Sequence, residues 1–485
     1  MKQKSLGTNA VLNALRSIIA VLFPLITYPY AARVMGVDNM GRIGYVASYI
    51  EYFTLFAVFG VSDYAVRECA AVRDERDKAR QKARLLWSFN ICTTVISLML
   101  MGILILVYYK LRSYSDIFLV QSLSIVFTTL GAEWLLVVYE DYGYVTIRGI
   151  AINIVNMVIL FALVRTPDDY LLYAFLNVST VVFSGFLNLF YIRKYVRLRP
   201  VFSKDMFEIV PALIPFFVNA LSIAVYVGAD TVILGILKGD HYVGIYSVAV
   251  KIYTIVKSVF IAIFSVTLSR LSMHAAKGEK KEYKEILSGV ISVFILLGFP
   301  AMTGLILYAR PIALIVGGAE YEESAYSLML LAVALLFAIF GGIVTNCINV
   351  PLGYEKVNSR ATLIAALENT LFNIPIIHLW YEKGAAFTTV LAEGTVLAIC
   401  VINIKKKEVD LKGIINRKDI RDMLCGVCAI IVSSVVIMRL SDDQIIRAIA
   451  GIVTSVIMYF GVLVLLKNHL LTAGLDRIIK HGSGQ

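Results

Sequence analysis

NAVLNALRSIIAVLFPLITYPYA, residues Asn9 to Ala31, decides how the chain is read. It is long and apolar enough to cross a bilayer, which needs about 20 such residues. Yet Asn9, Asn13, Arg16, Ala20, Pro24 and Thr27 recur at spacings of three or four, so they share one helical face. An arginine at such a position costs about 2.5–3.5 kcal/mol on insertion scales. That cost is accepted where the face looks into a wet cavity or at an acidic partner. A second stretch has the same design: Pro215, Asn219, Ser222, Tyr226 and Asp230 share one face behind Pro211. Two polar-faced helices, one opening each half of the chain, predict two lobes around a hydrophilic site.

Composition agrees. Of 485 residues, 59% are hydrophobic and only 16% are charged, where soluble domains carry about a quarter charged. Mean hydropathy is +0.79. These values predict an all-α polytopic membrane protein without a separate soluble domain. The first apolar run has no cleavage pattern of small residues behind it, so it reads as a retained span. The net charge of +11 does not point to nucleic acid. The basic residues sit in short loops between spans, as the positive-inside rule requires. Six cysteines form no disulfide framework, and Cys425 and Cys428 read as two small residues on one helix face.

Fourteen apolar runs are expected as transmembrane helices. They lie near 9–31, 43–66, 85–109, 116–138, 145–164, 170–192, 208–236, 244–269, 286–308, 326–350, 359–380, 384–404, 422–439 and 444–466. Basic segments Arg67 to Arg84, Arg193 to Lys204, Arg270 to Lys284 and Lys405 to Arg421 share a side with both termini, which places that side in the cytoplasm. Asp38 to Gly44 and Asp240 to Gly244 link consecutive spans about 200 residues apart, and Tyr139-Glu140-Asp141 is echoed by Tyr354-Glu355-Lys356. The repeat predicts two pseudo-symmetric six-helix lobes, residues 1–204 and 205–406. A basic loop, helices thirteen and fourteen and a tail follow over 407–485.

Ionisable residues inside spans carry the functional signal. Arg16, Lys251 and Lys257, with Asn13, Asn219 and Tyr226, are the candidate substrate-binding residues. A cationic cavity of this kind suits a phosphate or pyrophosphate headgroup. For Lys257, near the midplane, a buried ion pair is the alternative. Glu51, Asp230, Glu368 and Glu393 are candidates for coupling or gating. Asp63 and Glu133, close to the cytoplasmic ends, read as partners of nearby basic loops. No P-loop, GxGxxG, HExxH or DxD pattern is present, and the five histidines are isolated. No catalytic residue, metal site or cofactor is expected, and transport would run on an ion, potential or substrate gradient.

The opening NALRSIIAVLFPLITYPYAARVMGVDNMGRIGYVASYIEYF from Asn13 resembles the start of Wzx-type oligosaccharide flippases of the polysaccharide biosynthesis family. So do VRECAAVRDERDKAR from Val66, EWLLVVYEDYGYVTIRGIAI from Glu133, and Asp168-Asp169-Tyr170. The resemblance implies a fold shared with lipid II flippases and multidrug antiporters, with two six-helix lobes and two added helices. It implies movement of an undecaprenyl-diphosphate-linked oligosaccharide to the outer leaflet of the bacterial inner membrane by alternating access. Arg16 and Lys251 would then face the diphosphate. Membrane lipids, a coupling ion (proton or sodium) and a polysaccharide polymerase are the expected partners. The competing readings are a lipid II flippase, a multidrug/cation antiporter and a polytopic polymerase. An antiporter prefers an acidic cavity and twelve spans, and a polymerase needs a large outward loop.

Overall fold

The computed structural model describes the backbone of residues 6–411, 413–438 and 444–472. Side chains are described within those ranges from residue 22 onward, apart from 265, 266, 438 and 444–448. The described residues are helices joined by short loops, as a chain in lipid must be to satisfy its own backbone polar groups. Among the described residues, eleven helices are long and apolar enough to cross a membrane. The chain divides into two compact units, residues 1–244 and 245–485.

In the first unit, α1 runs Leu6–Val58 and α2 Val61–Ala70. At about 1.5 Å per residue, the 53 residues of α1 are far longer than a bilayer is thick. One residue interrupts it: Gly36, at φ 72 and ψ 171. Asp38 to Gly44, expected as a link, is helical instead, because glycine alone takes up the change of direction. Then come α3 (Arg76–Val107), α4 (Ser115–Gly131), the short α5 (Trp134–Val138), α6 (Tyr142–Leu163), α7 (Tyr170–Tyr191), the single turn α8 (Asp205–Glu208) and α9 (Val210–Lys238). The run expected over 116–138 is broken between α4 and α5 by Ala132, whose φ is 39. Four of these helices form a ring: α4 and α6 each pack against both α1 and α7.

The next helix, α10 (Asp240–Lys277), starts after Gly239, at φ 86 and ψ −176. Gly36 and Gly239 thus share one unusual backbone conformation, 203 positions apart (239 − 36). Five residues beyond each lies another glycine, Gly41 and Gly244. A Cβ on Gly41 would run into the carbonyl oxygen of Asp240, and one on Gly244 into that of Val37. Each contact is the image of the other. The repeat inferred from sequence is therefore matched in local backbone geometry at this point.

The second unit holds the rest of α10, then α11 (Lys280–Leu307), α12 (Ala309–Gly317), α13 (Ser324–Gly342), α14 (Glu355–Lys406), α15 (Arg417–Met438) and α16 (Gln444–Leu465). Close approach comes from small side chains, with Ala325, Ser327, Ala332 and Ala334 of α13 buried. A π-helical turn, Ile343–Asn349, extends α13. Its slack is held by Asn358, whose amide donates to the Thr345 carbonyl (3.1 Å) and accepts from Asn349 (2.7 Å). The 52 residues of α14 are interrupted once, at Tyr381 (φ 56, ψ −133).

Between α5 and α6, Asp141 fastens a loop. Its Oδ2 accepts from the Tyr191 hydroxyl (2.7 Å), Lys194 Nζ (2.8 Å) and the Tyr195 hydroxyl (2.8 Å). Burial pushes this carboxyl up, but the three donors outweigh it and hold the pKa at about 2. A depressed pKa contributes stability above the unfolded value, and that contribution is lost as pH falls through the folded value. The loss in apparent melting temperature caused by Asp141→Asn is therefore expected to be full at pH 7. It shrinks as pH falls from the ordinary 3.8 toward about 2.

Gly41→Ala and Gly244→Ala are each expected to cost about 1–3 kcal/mol, through overpacking. Gly102→Ala on α3, where a Cβ meets nothing within 4 Å, is expected to cost nothing. Thermal unfolding of the three variants in detergent checks the contrast.

Candidate functional site

The residues singled out by sequence fall into separate groups. Asn13 and Arg16 lie on α1, but their side chains are outside the described ones. Also in the first unit, Asn219 is exposed and Tyr226 half-buried on α9. Glu51 of α1 reaches α9 as well. Its Oε2 lies 4.0 Å from where a Cβ on Gly228 would stand, beside the Tyr52 hydroxyl at 3.7 Å. Asp230, one turn past Tyr226, is 6% exposed and accepts from the backbone N–H of Thr231 (2.7 Å). The α1–α9 contact therefore carries Glu51, and Asp230 is buried two residues beyond Gly228.

In the second unit, Lys251 and Glu368 are half-buried, on α10 and α14. Lys257 and Glu393 meet directly. Lys257 Nζ lies 2.6 Å from Glu393 Oε1 and donates to the Tyr253 hydroxyl at 3.0 Å. Tyr253 in turn donates to the same carboxylate oxygen at 2.9 Å. Tyr253 and Lys257 stand one turn apart on α10, so both reach one carboxylate on α14. The ion pair weighed for Lys257 is what the structure contains, and its charge is compensated within the unit. The exposed Cys425 and the exposed Cys428 are free thiols on α15.

The most developed polar site includes residues that sequence reasoning passed over. A cavity of about 420 Å³ is lined by α4, α6, α7 and the α4–α5 junction. Its anchor is Arg148, two turns into α6 and 7% exposed. Arg148 Nη2 donates to Glu133 Oε2 at 2.8 Å, and Nη1 donates to Asn188 Oδ1. Glu133 therefore serves an arginine within a span rather than a basic loop. The left-handed Ala132 before it turns the chain at the end of α4, which the sequence did not disclose. Farther along, Thr180 donates to Asn153 (3.1 Å) and accepts from Asn156 (3.1 Å). The spacing of Thr180, Ser184 and Asn188 on α7 was the visible clue. Gly131 and Gly185 bring α4 and α7 together beside the cavity. A Cβ on Gly131 would lie 2.5 Å from Gly185 Cα, and one on Gly185 would meet the Phe127 carbonyl.

Three lining groups have no hydrogen-bond partner among the described residues: Arg148 Nε, Asn188 Nδ2 and Thr146 Oγ1. All three side chains are at least nine-tenths buried. Each such group costs about 1–3 kcal/mol when unpaired, and all three atoms are covered by their neighbours rather than open to the cavity.

A second cavity, of about 300 Å³, lies in the second unit against α11, α15 and α16. Leu296, Pro300, Ile430, Ile452 and Val456 line it. Its few polar groups are engaged, with the Tyr308 hydroxyl 2.9 Å from Ser455 Oγ and Tyr459 donating to the Leu296 carbonyl.

A polytopic helical body with a polar, ion-paired chamber and a separate apolar groove has the character of a membrane transporter. The chain belongs to the polysaccharide biosynthesis protein family, whose model matches residues 6–275. The model of the lipid II flippase MurJ matches residues 186–446. A putative O-antigen transporter from Shigella dysenteriae is 22% identical over 387 residues, covering 79% of this chain and 96% of the relative. Among solved structures, the inward closed conformation of lipid II flippase MurJ is similar in fold. Its TM-score is 0.73 at 16% identity, over 96% of this chain and 99% of that one. An inward-facing multidrug MATE transporter of the MOP superfamily follows at a TM-score of 0.63 and 13% identity, over 84% of this chain and 98% of that one.

Breaking the Lys257–Glu393 pair leaves a largely buried charge alone. Lys257→Met and Glu393→Gln are each expected to destabilise by about 3 kcal/mol, the low end of the range because Lys257 stays 29% exposed. The double variant Lys257→Met/Glu393→Gln is expected to be milder than Glu393→Gln alone. Apparent melting temperatures of the three variants measure this.

Proposed function

We propose that this protein is a flippase for lipid-linked oligosaccharides. It carries undecaprenyl-diphosphate-linked repeat units from the cytoplasmic to the outer leaflet of the bacterial inner membrane, by alternating access. One observation carries the reading: the fold builds two unlike cavities. An amphiphile with a sugar head and a polyprenyl tail needs a polar chamber for one part and an apolar groove for the other. The 420 Å³ chamber and the 300 Å³ groove meet those two needs. Family membership and the O-antigen transporter relative support the same substrate class. Membrane lipids are the surrounding solvent, and the protein performs transport without covalent chemistry.

In this reading α1 and α14 each cross the membrane twice, on either side of Gly36 and Tyr381. With α16 as the last span the total is fourteen, and both termini are cytoplasmic. The lobes are residues 1–204 and 205–406, with 407–485 appended. Arg16 and Lys251 meet the diphosphate, while Asn13, Asn219, Tyr226 and Lys257 line the substrate path. Glu51, Asp230, Glu368 and Glu393 serve coupling or gating, with a proton or sodium as the coupling ion. A polysaccharide polymerase receives the product. A second reading, lipid II as the substrate, is favoured by the MurJ family match over residues 186–446.

Complementation tests both. The gene is placed in bacteria lacking their own O-unit flippase, in several glycan backgrounds, and in bacteria depleted of their lipid II flippase. Surface glycan and trapped intermediate are measured. Restored O-antigen with depletion of the intermediate is expected. Rescue of lipid II export alone selects the second reading. Arg16→Ala and Lys251→Ala are expected to abolish export at normal membrane abundance, and normal export by both removes them from the site. Glu51→Gln is expected to alter the response to an imposed ion gradient.

A further inference from the structure

We propose that the chamber inside α4, α6 and α7 is a saccharide subsite, holding a sugar ring of the transported lipid's head rather than its phosphates. The proposal rests on the flippase reading above and adds a place and a chemistry to it. Charge balance argues first. Arg148 is already neutralised by Glu133 at 2.8 Å, so the chamber offers an anion no uncompensated cation. What remains are neutral hydrogen-bonding positions. Asn153, Thr180, Ser184 and Asn188 line the chamber, and each of these side chains can donate and accept. A sugar hydroxyl donates and accepts at once, so one hydroxyl can bond two of these groups together. A phosphate oxygen only accepts.

Size and wall chemistry agree. At about 420 Å³ the chamber is far larger than a single structural water site needs. It falls in the range of small-molecule pockets. The wall is amphipathic: Phe127, Val145, Ile150 and Val181 supply apolar surface beside the threonines and asparagines. A pyranose is amphipathic in the same way, with C–H faces and a hydroxyl rim. Inorganic phosphate would leave that apolar wall unmatched. Gly149 also lines the chamber, and a Cβ built on it meets nothing within 4 Å. The helix thus presents a bare backbone to open space at this position, next to the arginine.

The test uses the full-length protein in detergent and its tryptophan fluorescence, since Trp134 directly follows Glu133. Methyl glycosides of glucose, galactose, rhamnose and N-acetylglucosamine are titrated, with inorganic phosphate as competitor. At least one glycoside is expected to give a saturable change that phosphate does not displace. Gly149→Phe, which adds a ring to the lining at a position where a Cβ meets nothing within 4 Å, is expected to weaken it by about tenfold or more, the equivalent of one or two lost hydrogen bonds. Thr180→Val, close in volume, is expected to weaken it in the same direction and serves if Gly149→Phe does not fold. No saturation by any glycoside up to its solubility overturns the proposal. So does unchanged affinity in a folded Gly149→Phe or, failing that, in Thr180→Val, and so does displacement by phosphate. Export separates this from the flippase reading. If wild type exports and folded Gly149→Phe exports equally well, the subsite alone is lost; if wild type exports in no glycan background, the flippase reading itself fails.

Discussion

A guanidinium held 7% exposed inside a helical bundle is the constraint around which the first unit is arranged. Burying an ion costs several kcal/mol even after relaxation, so Arg148 must be met on several sides at once. Glu133 supplies the countercharge only because α4 stops at Gly131 and the left-handed Ala132 redirects the chain. Asn188 supplies a carbonyl oxygen only because α7 approaches α4 closely. That approach depends on Gly131 and Gly185, where any side chain would collide. The arginine, the helix break and the glycine crossing are therefore one feature. Replacing any of them disturbs the other two.

A different economy operates where α1 meets the start of α10. Charges stand close by, with His241 3.0 Å from Asp38 and Asp240 accepting from the Tyr114 hydroxyl, but the contact itself is made by backbone. Two glycines allow two carbonyls to approach, and each contact repeats the other after 203 residues. In lipid the association of helices gains little from hydrophobic exclusion, so close packing at small residues takes its place. The same need explains the alanines and serines of α13. Interruptions also follow local rules. Gly36 and Gly239 accept positive φ without strain, whereas Tyr381 accepts it as a non-glycine residue at the midpoint of α14.

Helical class and membrane character were legible in sequence because lipid allows few alternatives. The Lys257–Glu393 pair was half legible: each residue stood out, but their partnership across 136 positions could not be read from spacing. Arg148 was missed because it lies two turns from a polar loop, where basic residues are ordinary. Its burial depends on α7, far along the chain. Asp38 to Gly44 looked like a link because it holds charge and glycine, and yet the backbone there stays helical once Gly36 has turned it. Glu133 was read as a partner of basic loops because sequence does not reveal a left-handed alanine. What escaped in each case was direction: where a side chain goes once the backbone has turned.

Two of the described ion pairs bear on how a transporter of amphiphiles divides its work. Arg148 is met by Glu133, and Lys257 by Glu393, each within its own unit. A compensated pair is a poor trap for a diphosphate, since the substrate must first displace a carboxylate at close range. It is, however, a good frame for neutral ligands. The pair fixes the rotamers of long side chains and leaves their remaining donors preorganised, so a hydroxyl-rich ligand loses less entropy on binding. Pairing also permits a charged residue to stand deep in a bundle without drawing in every passing anion.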